Sequence, residues 1–159
     1  MKYTLLFISL ILFIGLAACS PKTISQTSND SSTDLPPAPD FSGQLDTPQM
    51  DQQGGVVVEV TPLNLDIPGQ TLDFQMTLNT HSVDLSMDLA ALATLSTDNG
   101  NSVQAISWDG PKGGHHLLGK MAFPALSNGK GLLDGATKVT LTLKNVDAPE
   151  RVFSWSLTR

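Results

Sequence analysis

The sequence predicts an all-β protein, an antiparallel sandwich of about eight short strands that follows a signal peptide and a disordered tether. Short segments of β-branched or alternating apolar residues recur from residue 56 to the end of the chain. Turn-forming Gly, Pro, Asn and Asp residues separate these segments at short intervals. No segment shows the apolar period of a helix longer than one or two turns, so two packed sheets are the expected architecture.

The first 18 residues have the pattern of an export signal. Lys2 supplies a positive charge, and residues 5–16 form an apolar run interrupted only by Ser9 and Gly15. This run is too short to be a comfortable membrane span, and it ends in small residues. We therefore expect residues 1–18 to be a signal peptide that directs the protein out of the cytoplasm.

The end of this segment, Leu16-Ala17-Ala18-Cys19, resembles the lipobox of bacterial lipoproteins, in which Leu and two small residues precede Cys. The resemblance covers the signal only. It implies that the Cys19 thiol is alkylated with a diacylglycerol, that the chain is cut before Cys19, and that acyl chains such as palmitate anchor it in a membrane. Ser20 follows in place of the Asp that tends to retain lipoproteins in the inner membrane, which favours the outer membrane in a Gram-negative organism. A secreted protein with a chance Cys, or an uncleaved N-terminal anchor, is the alternative.

Cysteine content and net charge exclude several classes of site and partner. Cys19 is the only Cys, so a lipidated Cys19 leaves no thiol for a disulfide, a metal or a nucleophile. The chain has 9 Lys and Arg residues against 15 Asp and Glu residues, a net charge of −6. An acidic protein is a poor partner for nucleic acid, so we expect the partners to be the membrane, through the lipid on Cys19, and an envelope protein.

Residues 19–55 are predicted to be the lipidated Cys and a disordered tether. The segment is rich in Ser, Thr, Asn, Asp and Gln, with a proline cluster at residues 35–39 and a Gly pair at residues 54–55. Its apolar content is too low to offset the entropy of ordering. The domain is therefore expected to span residues 56–159.

Within this domain, residues 56–61 and 71–79 are the first clear strands. The inward face of the second is Leu72, Phe74, Met76 and Leu78. Residues 82–86 are expected to form another strand with Val83 and Leu85 inward. Residues 88–93 fit either one helical turn capped by Asp88 or an irregular strand.

The second half continues with turns and strands. Residues 98–101 predict a hairpin turn, and residues 103–108 its return strand with Ile106 and Trp108 inward. Further strands are expected over residues 115–123, 137–143 and 151–157, with a turn over residues 127–131. This arrangement resembles the immunoglobulin-like sandwich, without the disulfide of antibody domains.

Three histidines form the candidate site. His81 lies at the end of one predicted strand, and His115 and His116 lie at the start of another. Because strand ends cluster in a sandwich, these rings could meet and hold Cu²⁺ or Zn²⁺, with Asp84 and Asp109 adding a carboxylate or orienting a ring. Adjacent residues on a strand point to opposite faces, so only one of His115 and His116 can face a given site unless the strand has a bulge. The alternative is structural, with each His bonding a loop carbonyl.

Charge is also unevenly distributed. Residues 56–111 contain no Lys or Arg but several acidic residues, whereas basic residues dominate after Lys112. The acidic half could bind Ca²⁺ or a basic partner, or the two halves could neutralise each other across the sandwich, which is the favoured interpretation. The chain has no GxSxG, HExxH, P-loop or GxGxxG motif, so we expect no catalytic residues and no certain cofactor. The sequence thus predicts a lipid-anchored, extracytoplasmic binding or structural module.

Overall fold

A computed structural model of the protein describes residues 45–157. Within this range nearly all regular structure is β, and the helical part is the single turn α1 (Leu89–Leu92). The strands in chain order are β1 (Gln49–Asp51), β2 (Val56–Pro62), β3 (Thr71–Thr80), β4 (Ala93–Thr97), β5 (Ser102–Gln104), β6 (Ser107–Asp109), β7 (His116–Pro124), β8 (Leu126–Ser127), β9 (Lys130–Gly131), β10 (Lys138–Lys144) and β11 (Glu150–Ser156).

Two antiparallel sheets make the sandwich. The first has five strands in the order β1-β2-β3-β7-β6, and the second has four in the order β11-β10-β4-β5. Strands β8 and β9 form a separate two-stranded hairpin. The predicted all-β antiparallel sandwich is confirmed. The described residues contain eleven strands instead of about eight because five of them have only two or three residues, too few for an apolar pattern to reveal.

The core lies between the two sheets. The predicted inward face of β3 is confirmed, since Leu72, Phe74, Met76 and Leu78 are fully buried. The Phe74 ring meets Phe123 of its own sheet edge-to-face, with centroids 5.6 Å apart, and lies 5.4 Å from Trp155 of the opposite sheet. These three rings join the two layers at the centre of a core that no disulfide supports within residues 45–157.

The predicted turns are confirmed where their residues favour positive φ. Residues 97–101 close the β4–β5 hairpin around Gly100, with φ of 90° and a bond from Thr97 N to Asn101 O of 2.9 Å. Asn128 and Gly129, with φ of 52° and 75°, join β8 to β9, as a type I′ turn requires. Of the two alternatives at residues 88–93, the helical turn is correct. Asp88 caps α1 by accepting a bond from Ala91 N.

Residues 82–86 form a loop, so the strand predicted there is wrong. The hydroxyl of Thr80 accepts bonds from the backbone N–H groups of Ser82 and Val83, each at 3.2 Å. This side-chain turn removes the donors that a ladder would need and ends β3 at Thr80. Leu85 is buried as expected, but it reaches the core from a loop.

The predicted return strand over residues 103–108 is also wrong as a single element. The chain leaves the second sheet after β5, where Ala105 N donates to Ala93 O, and joins the first sheet when Ile106 N donates to Ala122 O. Crossing between sheets breaks the alternation that a single strand would keep. Ile106 is therefore 59% exposed instead of inward, while Trp108 is half-buried at the edge of the core.

The structure also differs from the expectation for the last part of the tether. Within residues 45–55, which the sequence predicts to be disordered, β1 pairs with β2 in the register Gln49↔Val60 to Asp51↔Val58. The stabilising contacts are polar and come from the distant strand β11, so no apolar pattern marks them. Residues 1–44, including Cys19 and the proline cluster, lie outside the described part of the chain. No helix within residues 45–157 has the length and apolar content needed to cross a membrane.

Candidate functional site

The antiparallel pairing of β3 and β7 brings two of the three histidines together. Asn79 lies opposite His116 in the register, and Thr80 N donates to His115 O at 2.9 Å. His81 follows directly after the end of β3. Its ring and the His116 ring are therefore neighbours, with centroids 6.1 Å apart and an interplanar angle of 80°.

Asn79 orients the His116 ring. The Nδ1 atom of His116 lies 2.8 Å from Oδ1 of Asn79. An amide oxygen only accepts hydrogen bonds, so Nδ1 carries the proton in this contact and the neutral ring keeps its lone pair on Nε2. A second partner that fixes the tautomer in this way is a common companion of metal-binding imidazoles.

The separation of the two rings is close to what a shared ion needs. Imidazole nitrogens bind Zn²⁺ at about 2.0–2.1 Å, which places the centroids of two ligand rings roughly 5–6 Å apart. The observed 6.1 Å needs only a small side-chain adjustment to reach this range. Both rings are exposed, so a cation can approach them from solvent.

The complete set predicted from the sequence is not assembled. Within residues 45–157 no group of three or more His, Cys, Asp or Glu residues is placed to hold a metal ion. The His115 side chain is exposed. The backbone carbonyl of His115 accepts the bond from Thr80 N, which continues the hydrogen-bond ladder between β3 and β7. Within residues 45–157 the structure thus supplies two neighbouring imidazoles, those of His81 and His116.

The two predicted carboxylates lie elsewhere. Asp84 accepts a bond from the Ser86 hydroxyl at 2.8 Å within the loop after His81. Asp109 lies opposite Lys120, four residues along β7 from His116. At about 3.3 Å per residue this is roughly 13 Å, which is too far for a ligand or an orienting partner.

A further set of polar contacts surrounds the buried side chain of Arg151, a residue that no sequence pattern described above predicts to be important. This side chain is completely buried, and its guanidinium forms an ion pair with Asp51 of β1. Its Nε donates to Val146 O at 3.0 Å and its Nη2 to Gln53 O at 2.6 Å. Arg151 shares the inward face of β11 with Phe153 and Trp155, and a charged residue in phase with buried aromatics is the signal that could have revealed it.

Other side chains add to this connection between β1 and β11, which we call the β1 clasp (Thr47, Gln49, Asp51, Arg151, Ser154 and Trp155). The Gln49 carboxamide accepts from Ser154 N at 3.0 Å and donates to Ser154 O, as a neighbouring strand would. Trp155 Nε1 donates to Thr47 O at 2.8 Å. The clasp covers part of the open edge of β11 and fixes the start of the domain to its last strand.

One ion pair within residues 45–157 joins the acidic and basic halves of the sequence. Lys120 pairs with Asp73 at 3.0 Å between β7 and β3, and Arg151 pairs with Asp51. Of the two ion pairs found within residues 45–157, only Asp73–Lys120 joins the acidic stretch of residues 56–111 to the basic part after Lys112, because Asp51 precedes that stretch. Asp98, which belongs to the acidic half, accepts bonds from the backbone N–H groups of Thr137 and Lys138.

The pKa values of two of these carboxyl groups are shifted. Burial alone would raise the pKa of Asp51, but bonds from Gln53 and the charge of Arg151 together lower it below its ordinary value. At Asp98 the Thr137 hydroxyl is the main cause of a lowered pKa, helped by backbone N–H groups of Lys138 and Thr137. Both groups are therefore held ionised by the fold.

Comparisons with known proteins give structural similarity only. No family model matches the chain, and no curated protein sequence matches it. One similar solved structure is a secreted protein, MPT63, from Mycobacterium tuberculosis, at 16% identity and a TM-score of 0.39, covering 72% of this chain and 95% of that one. Another is a DUF4426 family protein from Pseudomonas aeruginosa, at 10% identity and a TM-score of 0.38, covering 68% of this chain and 90% of that one.

Proposed function

We propose that this protein is a lipid-anchored module of the bacterial cell envelope that binds or supports other envelope components and catalyses no reaction. The observation that carries the proposal is the sequence Leu16-Ala17-Ala18-Cys19 at the end of a short apolar run. The anchor lies on the extracytoplasmic side, and Ser20 favours the outer membrane where the organism has one.

The described domain suits a module held by its N-terminal end. Any pull transmitted from Cys19 reaches the sandwich at β1, which is hydrogen-bonded into the first sheet and clasped to β11 in the second. The anchor is therefore connected to both sheets at once. Two or three acyl chains, at about 0.8 kcal/mol per buried methylene, would hold the protein on a bilayer where one chain would not.

Lipidation is tested directly by growing cells with an alkyne analogue of palmitate and analysing the mature N-terminus by mass spectrometry. We expect the label on wild-type protein, a mature chain that starts at Cys19, and recovery in the membrane fraction. The variant Cys19→Ala should lose the label and stay unprocessed. A Ser20→Ala variant, which keeps the thiol, is the matched control and should be labelled normally. An unmodified sulfhydryl on the mature wild-type chain would contradict the proposal.

A second candidate function is the binding of Cu²⁺ or Zn²⁺ by His81 and His116, favoured by the 6.1 Å separation of their rings and by the Asn79 contact. Two imidazoles leave further coordination positions for water or for a group from a partner. Titration of the purified protein with Zn²⁺, followed by the imidazole NMR signals, tests this. His81→Gln and His116→Gln should each weaken binding strongly, whereas His115→Gln should not. Equal effects of all three variants would contradict a two-histidine site.

A further inference from the structure

One end of the sandwich carries a groove beside Leu45, the first residue that the structure describes. Two cavities of about 450 and 430 Å³ lie side by side there and share the side chains of Leu45 and Leu65. We call the two together the Leu45 groove. Each cavity lies within the usual 300–1,000 Å³ range of ligand pockets.

The lining of the Leu45 groove combines two chemical characters. Leu133 and Leu157 join Leu45 and Leu65 to make apolar walls, and Leu63, which lines the second cavity, is 49% exposed. Three carboxylates, from Asp46, Asp66 and Asp134, also line the two cavities. No Lys, Arg or His is among the residues that line either of them.

Two of these carboxylates keep their negative charge available to the groove. Asp134 accepts a bond from the neutral backbone N–H of Gly131 at 3.0 Å, which leaves its charge in place. Neither of the two ion pairs found within residues 45–157 involves Asp46 or Asp134. An apolar floor beside uncompensated negative charge favours a ligand that is both apolar and cationic.

We propose that the Leu45 groove binds a short extended peptide segment of a partner protein, in which apolar side chains alternate with Lys or Arg. The apolar side chains would enter the two cavities and the cations would lie against Asp46 and Asp134. This inference goes beyond the proposed function, because the groove would bind such a segment whether or not Cys19 carries a lipid.

Charge argues against the other occupants. Residues 23–44, the part of the chain nearest the groove in sequence, contain no Lys or Arg and do contain Asp30, Asp34 and Asp40. A second copy of the chain, with its net charge of −6, meets the same repulsion. An anionic lipid surface would also be repelled by the carboxylates of the groove.

The test uses full-length protein purified from membranes and reconstituted in phosphatidylcholine nanodiscs. Two hexapeptides that carry fluorescein on the N-terminal amine serve as probes in fluorescence polarisation, fluorescein-KLKVKL-amide and the charge-reversed fluorescein-ELEVEL-amide, with empty nanodiscs as the blank. We expect the basic peptide to bind at least about tenfold more tightly than the acidic one, and its binding to weaken as salt is added.

Variants locate the binding. Asp46→Asn with Asp134→Asn keeps the hydrogen-bond acceptors but removes two charges from the groove, and should weaken binding of the basic peptide at least about fivefold. Asp84→Asn with Asp88→Asn removes two charges at the opposite end of the sandwich and is the matched control, expected to change binding less than about twofold.

Three outcomes would overturn the proposal. One is equal binding of the two peptides, or no binding of either. Another is an equal loss of affinity in the two double variants, which would indicate attraction by net charge alone. The third is binding that requires deletion of residues 23–44, which would show that the chain's own segment fills the groove.

Discussion

Arg151 shows how a single buried charge can be tolerated in a small core. A guanidinium without partners would be very costly to remove from water, so its burial depends on the carboxylate of Asp51 and the carbonyl oxygens of Val146 and Gln53. All of these partners come from outside β11. The buried guanidinium therefore connects three segments of the chain: β11, residues 51–53 and the loop that contains Val146.

Removal of this guanidinium should destabilise the fold strongly. In Arg151→Met the Asp51 carboxylate loses its cation and two backbone carbonyls lose their donor, so the free energy of unfolding should fall by about 3 kcal/mol. Urea denaturation followed by tryptophan fluorescence measures this. Lys120→Met breaks the more exposed ion pair with Asp73 and should cost only about 0–1 kcal/mol. An equal loss in the free energy of unfolding in the two variants would mean that the buried ion pair of the clasp stabilises the fold no more than the exposed one does.

The pH dependence of stability should reflect Asp51 and Asp98. Both have a folded-state pKa below the unfolded value, so the unfolded chain takes up protons first as the pH falls. Their contribution is complete at neutral pH and should be lost below about pH 4, as protons enter the folded state as well. Urea midpoints measured from pH 7 to pH 3 should fall most steeply in wild-type protein and less steeply in Asp98→Asn. A midpoint that rises on acidification would contradict this assignment.

At the scale of elements, the sequence was sufficient wherever one physical pattern dominated. Strand β3 was predictable because ten residues alternate, and the turn at Gly100 because few other residues accept its φ of 90°. The switch between sheets at Ala105 was not predictable, since apolar residues continue through it. Strand β1 was not predictable, because Gln49 and Asp51 are stabilised by residues about a hundred positions away.

The candidate sites also differ in how far the sequence predicts them. The meeting of His81 and His116 followed from strand ends, but whether a third ligand would join depended on side-chain directions in a loop. The Leu45 groove could not be predicted, because its walls come from segments around residues 45, 65, 133 and 157 that no local pattern connects. Long-range pairing, which sequence periodicity does not encode, decided each of these cases.

Packing of β6 against β7 should depend on the absence of a side chain at Gly119. A Cβ there would lie 2.5 Å from Asp109 O and 2.7 Å from the Trp108 ring, which occupies this space. Gly119→Ala should therefore lower the free energy of unfolding by about 1–3 kcal/mol and change the Trp108 fluorescence. Gly69→Ala is the matched control, because the nearest heavy atom to its Cβ would be 3.9 Å away and φ is not positive. If both substitutions were neutral, the indole would not be filling the space at Gly119.

At the scale of the whole domain, the strand register gives the two ends of the sandwich different surroundings. The Leu45 groove lies at the end where β2 finishes and β1 begins. His81 and His116 lie at the other end, beside the end of β3. With strands of seven to ten residues at about 3.3 Å each, the ends are roughly 25–30 Å apart. The groove is therefore the end of the domain that is closer along the chain to Cys19.

Shortening the predicted tether should make the difference in distance from the bilayer between the two ends of the domain measurable. A coil with the length of residues 19–44 would have a root-mean-square reach of roughly 25–30 Å, enough for the domain to tumble and for the difference between its ends to be blurred. With residues 23–44 deleted, that freedom is lost and the groove end should lie close to the head groups. A donor dye on Ile67→Cys should then transfer energy to rhodamine lipids much more efficiently than one on Lys112→Cys. A lipidated Cys19 leaves the introduced thiol as the labelling site. Equal transfer from both positions in the shortened protein would show that the anchor does not orient the domain.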